Sequence, residues 1–284
     1  MLLREAKQYL PLIKILQTAL LILTGITGFI SARGSEVSAD ILAGLFGSLF
    51  MIISGSTILN MVYDRDIDAR MQRTVKRPLP SGKLETFEVF AAGIVMSCIG
   101  FSWALALSPL YAMIIFFGLF TDVVVYTMWL KRRTPWSIVW GGISGGMPIL
   151  AGRALAIGQI DKIGILLAIS ILLWIPTHIM TFNMKYLEDY KRAGIPTFPS
   201  RYGFQATRWT IALSSFGAAI AIGIGSFALG LSGGLLWILA GLSIGIFALA
   251  LLSLIQPSER INFGLFKFAS LYMIGAMILL IIGT

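Results

Sequence analysis

The sequence predicts an all-α integral membrane protein, about nine transmembrane helices gathered into one bundle and forming a single domain over 1–284. Three observations support this. Of 284 residues, 57% are hydrophobic and 12% charged, against roughly 25% charged in soluble domains, and mean hydropathy is +0.87. The apolar residues come in runs of about 20, the length a helix needs to cross a hydrocarbon core about 30 Å thick. The charges collect in the connections between runs and alternate in sign balance from one connection to the next.

The runs, in order, begin with Leu10–Ser31, which follows a short cap carrying Arg4 and Lys7. No cleavable leader or Arg/Ser-rich transit pattern precedes it. Ile41–Tyr63 ends in the densest mixture of acids and bases in the chain. Phe87–Leu107 and Leu110–Leu130 are joined at Ser108-Pro109, a tight link. Pro135–Ala156 is glycine-rich, which lets membrane helices approach closely. Ile163–Phe182 carries His178, and Trp209–Leu231 is parted from Leu235–Ile255 at Gly233-Gly234. Phe263–Ile282 closes the chain. The single cysteine, Cys98, reads as a small core residue.

A net charge of +9 raises the question of nucleic acid, and the positions of the bases exclude it. Arg33, Arg153 and Lys162 are the only bases on one side; the rest lie at the N-terminus and after the second, fourth, sixth and eighth runs. By the positive-inside rule these are cytoplasmic, which puts the N-terminus inside and the C-terminus outside. Arg153, near an outer helix end, is expected to snorkel to the surface.

Three of the cytoplasmic segments carry the chemistry. The first runs from Asn60 through Asp64-Arg65-Asp66-Ile-Asp68 to Arg73, Arg77 and Pro80-Ser-Gly82. Asn60, Asp64 and Asp68 recur every four residues and stack on one helical face. Such a column suits a hard cation such as Mg²⁺, and the arginines suit a phosphate held by the same ion. The competing reading is a salt-bridge network among Asp64, Asp68, Arg65, Arg70 and Arg73. The excess of positive charge, with Lys131, Arg132 and Arg133 from the second segment, favours a Mg²⁺-bound diphosphate.

In the third segment His178, Phe182, Lys185 and Asp189 share one helical face. A histidine at that depth faces the bundle interior; a structural hydrogen bond and a role on substrate both fit it. Asp122, deep in the fourth run and one turn before Tyr126, is either functional or the partner of a buried Arg or Lys. Asn60-Met61-x-Tyr63 can be laid over Asn183-Met184-x-Tyr186, a short match that hints at a parallel internal repeat with the site between its halves.

Asn60-xxx-Asp64-xxx-Asp68 resembles the first acidic motif of the UbiA superfamily of membrane prenyltransferases. The longer string from Asp64 to Gly82 is similar to its protoheme IX farnesyltransferase branch. So are Tyr126-Thr-Met-Trp-Leu-Lys-Arg-Arg-Thr-Pro, the glycine-rich Gly141–Gly152 and Asp189-Tyr-Lys-Arg-Ala-Gly-Ile-Pro. The resemblance implies Mg²⁺ on Asn60, Asp64 and Asp68, with Asp189 as a further ligand. It implies that Arg65, Arg73, Arg77, Tyr126, Lys131, Arg132 and Lys185 bind the diphosphate of farnesyl diphosphate. Asp64, Asp68, Arg65 and Lys131 would then be catalytic, and His178 and Asp122 would lie near the acceptor, haem B. The region after the sixth helix departs from the superfamily's second Asp-xxx-Asp motif, offering Glu188 and Asp189. Ile179-Met180, a single Pro148 and Arg153 depart from the branch where the acceptor should bind. An aromatic acid, a quinone precursor or a glycerol-phosphate lipid are the alternative acceptors. A transporter is disfavoured, because the ionisable groups cluster at one face rather than along a path through the midplane.

Overall fold

A computed structural model describes residues 9–33 and 38–284, so Arg4 and Lys7 lie outside the described residues. All regular structure among the described residues is helical. In chain order the helices are α1 (Ile15–Arg33), α2 (Ala39–Tyr63), the short α3 (Arg65–Asp68), α4 (Thr86–Leu107) and α5 (Pro109–Phe120). A π-helical segment, Thr121–Leu130, continues α5. Then come α6 (Ser137–Ile157), α7 (Lys162–Lys185), the short α8 (Leu187–Arg192), α9 (Phe198–Ala228), α10 (Gly233–Ile255) and α11 (Glu259–Gly283).

Eight of these elements are long and apolar enough to cross a membrane, with α5 and its π segment counted as one. The fifth predicted span, now α6, is long enough but falls outside the eight: its glycines, Pro148 and Arg153 dilute its hydropathy. It is instead the most enclosed helix, packed against α1, α5 and α7. A Cβ placed on Gly152 would lie 1.9 Å from the Gly25 carbonyl oxygen, and one on Gly28 would lie 2.0 Å from that of Ile149. Only glycine lets α1 and α6 cross with their backbones touching. Elsewhere α2 packs on α4 and α7 on α9, while α11 touches both α7 and α1 and so closes the bundle. The outward side chains, Phe116, Phe227, Trp237 and Ile244 among them, are large and apolar, as a lipid-facing surface requires.

Several expectations need correction. The first run is not one helix: the backbone breaks at Lys14, whose φ is +48°, and Thr18 Oγ1 ties the break by donating to the Ile13 carbonyl at 2.7 Å. Trp209 does not begin the seventh span. Thr197 caps α9 with Ser200 in a reciprocal box, and the helix kinks at Gly203 (φ 80°) before crossing. Arg153 does not snorkel. It is 7% exposed, donates from Nε to both Asp161 oxygens at 2.9 and 3.0 Å, and from Nη1 to Ser31 O and Oγ at 3.0 and 3.1 Å. Cys98 is exposed on the outer face of α4 rather than buried in the core.

Candidate active site

The acidic column survives the end of α2. Asp64 leaves the helical region only slightly (φ −85°, ψ 3°). The Asp64 N–H still donates to the Asn60 carbonyl at 2.9 Å, and that of Asp68 to the Asp64 carbonyl at 2.8 Å. The four-residue spacing therefore keeps one face across the junction of α2 and α3. Asp64 and Asp68 are only 8% and 6% exposed. Beyond Asp68 the chain folds back: Thr74 Oγ1 donates to the Asp68 carbonyl at 2.9 Å, and Arg77 Nη1 to Asp68 Oδ2 at 2.8 Å.

The connection between α5 and α6 delivers the second set of bases. Lys131 donates to Asp64 Oδ2. Burial works against its charge, but Asp64 outweighs that penalty and holds the ammonium above the ordinary lysine range. Arg132 grips both oxygens of Asp66 at 2.8 and 2.7 Å, and this hydrogen bonding holds the Asp66 carboxyl below the usual range. Tyr126 lies 5.7 Å below the Lys131 ammonium, with its ring against Gly141. Arg65 turns elsewhere: it is exposed and donates to Thr86 Oγ1 at 2.9 Å.

The third segment closes on the first. Asp189 accepts from the backbone amides of Gln72 and Arg73, both at 3.2 Å, and from Arg192 at 3.4 Å. The Arg73 guanidinium lies over Phe182 and Tyr186, at 4.9 and 5.5 Å; Lys185 lies over Phe263 at 3.8 Å. The ends of α2 and α7 therefore adjoin. Among the described residues no carboxylate pairs with Arg73, Lys185 or Lys14. His178 stacks between Trp174 and Phe266, at 5.0 and 4.5 Å, with Nδ1 3.3 Å from Ser270 Oγ. Among the described residues Asp122 is hydrogen-bonded to Ser56 and Asn60, not to an Arg or Lys.

Lys14 is the residue that sequence reasoning missed. The break in the first run lets its side chain face Arg77, Lys131, Asp122 and Asp64. Burial, then Arg77 and Lys131, lower its pKa to about 8. The signal was present, since a lysine inside an apolar run is a functional candidate by position alone.

Two acceptors in this assembly are left over. Asn60 Oδ1 and Asp64 Oδ1 are buried and without a hydrogen-bond partner, a cost of about 1–3 kcal/mol for each such group. They belong to successive turns of the column, and both are hard oxygens, so the donor set fits Mg²⁺. Among the described residues no three His, Cys, Asp or Glu side chains form an all-protein cage. Mg²⁺ ordinarily completes its shell with substrate phosphate and water instead.

Comparison with known proteins agrees with this geometry. The UbiA prenyltransferase family model matches residues 21–272. The chain is 42% identical over 211 residues, 74% of each chain, to a protoheme IX farnesyltransferase of Archaeoglobus fulgidus. It is 36% identical over 265 residues to the protein of that name from Pyrobaculum neutrophilum, covering 92% of this chain and 94% of the relative. Among solved structures, one concerning digeranylgeranylglyceryl phosphate synthase superposes with a TM-score of 0.81 at 20% identity, over 99% and 98% of the two chains. A UbiA homolog from Archaeoglobus fulgidus bound to GPP and Mg²⁺ gives 0.71 at 16% identity, over 96% and 99%. At those identities the two structures speak to fold alone. The family match and the extent of the curated relatives carry the assignment: this chain belongs to the UbiA prenyltransferase family.

Proposed function

We propose that this protein transfers the farnesyl group of farnesyl diphosphate to a vinyl group of haem B, releasing diphosphate. The observation that carries the reading is the pair of orphaned oxygens on Asn60 and Asp64, set among bases from two connections. Asn60, Asp64 and Asp68 would hold Mg²⁺. Asp189 is the third acid of the set; its Oδ2 keeps a lone pair beyond the Arg73 backbone amide it serves, while Oδ1 accepts from Gln72 and Arg192. Mg²⁺ held there supplies fixed positive charge to the diphosphate as it departs.

The chain's own part is electrostatic and steric. Arg73, Arg77, Lys131, Lys14 and Lys185 stabilise the charge that develops on the bridging oxygen as the carbon–oxygen bond breaks and its electron pair leaves with the diphosphate. Arg132 anchors Asp66, Tyr126 supports Lys131, and Arg65 sits at the rim. The allylic C1 then bonds to the terminal vinyl carbon. Water captures the cation left on the neighbouring carbon and loses a proton, giving the hydroxyethyl-farnesyl product. Apolar helix walls keep bulk water from the allylic cation before it is used. Asp122 and His178 are the residues this reading assigns to the acceptor side. The reading places the protein in the cell membrane with the site on the cytoplasmic side, since the three basic connections belong there.

The test uses purified full-length protein, farnesyl diphosphate and haem B, with product identified by mass spectrometry. Mg²⁺-dependent diphosphate release coupled to a farnesylated haem is expected. No haem product, with turnover of a phenolic acid, a quinone precursor or a glycerol-phosphate lipid, overturns the acceptor.

A further inference from the structure

Asp122 accepts two hydrogen bonds on the same oxygen, Oδ2: from Ser56 Oγ at 2.6 Å and from Asn60 Nδ2 at 2.7 Å. Among the described residues it forms no ion pair. A carboxylate offers only acceptors, so Asn60 must turn its NH₂ towards Asp122 and its carbonyl oxygen away. That oxygen is the buried Oδ1 without a partner. An asparagine amide is nearly symmetrical in shape, and turned over it would offer N–H groups to a cation instead of a ligand oxygen.

The π-helical segment explains how Asp122 arrives there. Asp122 meets Asn60, and Lys131, nine residues later, meets the next residue of the column, Asp64. In an α-helix, at about 100° per residue, positions nine apart point to opposite sides. The wider i→i+5 turn, seen in the Lys131 N–H to Tyr126 carbonyl bond of 2.8 Å, brings both to one side.

We propose that Asp122, with Ser56, is a positioning residue that fixes the Asn60 amide so that Oδ1 is presented as a metal ligand. The proposal rests on reading Asn60 as a Mg²⁺ ligand, and its test separates the two. Mn²⁺ binding is measured by electron paramagnetic resonance on the full-length protein with the unreactive thiolo analogue of farnesyl diphosphate. Asn60→Ala should weaken Mn²⁺ binding, and Asp122→Leu, which removes the acceptor oxygens at similar volume, should weaken it about 10–100-fold, as loss of a residue that orients a metal ligand does. The double exchange Asn60→Asp/Asp122→Asn puts a carboxylate at 60 and an amide donor at 122, at unchanged net charge, and should restore most of the affinity.

Wild-type binding by Asn60→Ala would remove the metal reading itself. Weak binding by Asn60→Ala with wild-type binding by Asp122→Leu would leave that reading intact and overturn the positioning role. The double exchange decides even if Asp122→Leu does not fold: affinity near wild type supports the proposal, and affinity no better than that of Asn60→Ala overturns it.

Discussion

At the scale of single residues the site is a set of acids already answered by bases, and the two main pairs differ in depth. Asp68 is bonded to Arg77, whose side chain is 29% exposed; Asp64 is bonded to Lys131, whose side chain is 19% exposed. Asp68→Ala and Asp64→Ala are each expected to reduce turnover by at least about 100-fold, the scale on which preorganised electrostatic groups act. Only Asp64→Ala should also lower the thermal unfolding midpoint clearly, because it strands the more buried ammonium. Lys14 makes a second prediction. With a pKa of about 8 in the folded protein, it loses its charge as pH rises through 8. KM for the prenyl diphosphate should rise over that range, and Lys14→Arg should flatten the rise. Stability moves the other way: the unfolded chain holds this proton to about 10.5, so raising pH from 8 towards 10.5 favours the folded state through this group. The acids, the arginines and Lys131 were legible as a spaced motif. Lys14 offered only its position as a signal, because an apolar run that contains one lysine still reads as a span.

At the scale of elements, the sequence announces helices well and departures from helix poorly. All nine apolar runs are helical among the described residues, the first interrupted at Lys14 and the fourth ending as a π-helix. The break at Lys14 and the π segment at Thr121–Leu130 left no pattern in the hydropathy. Both are settled by where distant side chains must land, and spacing along one run carries no record of that. The glycine-rich run Gly141–Gly152 was legible as close packing, and its partner α1 was not. Gly152→Ala pushes a methyl into the Gly25 carbonyl, which is backbone and cannot rotate away. It should cost more than the ~1–3 kcal/mol of ordinary overpacking, seen as a large fall in the unfolding midpoint. Gly233→Ala, where an added Cβ meets nothing within 4 Å, should shift it little.

At the scale of the whole molecule, the candidate site and most of the ion pairs among the described residues are gathered at one end of the bundle. The far end holds Arg153 with Asp161, while Arg33 donates to the Ala156 carbonyl. The suggested internal repeat has a structural counterpart. The spans α2 and α7 each stop at one non-helical residue, Asp64 and Tyr186, and continue as a short helix, α3 and α8. Only the first copy keeps the column Asn60, Asp64 and Asp68; the second supplies Asp189 to brace the loop of the first. The orientation predicted from charge can be checked with cysteines placed singly at Ser81 and Gln159 in a Cys98→Ala background. A membrane-impermeant maleimide added to whole cells should label the second position and not the first.

The ion pairs around the column also make the site a two-key lock. A divalent cation alone, settling on the unpartnered oxygens of Asn60 and Asp64, competes with Lys131 and Arg77 for the charge of Asp64 and Asp68 and leaves two half-buried bases short of a counter-charge. A diphosphate alone must draw those bases away and leave two carboxylates facing each other. Together, each satisfies what the other displaces, so the pair is favoured over either member. Titration calorimetry should show the cation tightening the diphosphate and the diphosphate tightening the cation by the same factor, as linkage demands. A pyrophosphate-free cell rich in Mg²⁺, or a prenyl donor stripped of its ion, would each find the door nearly shut.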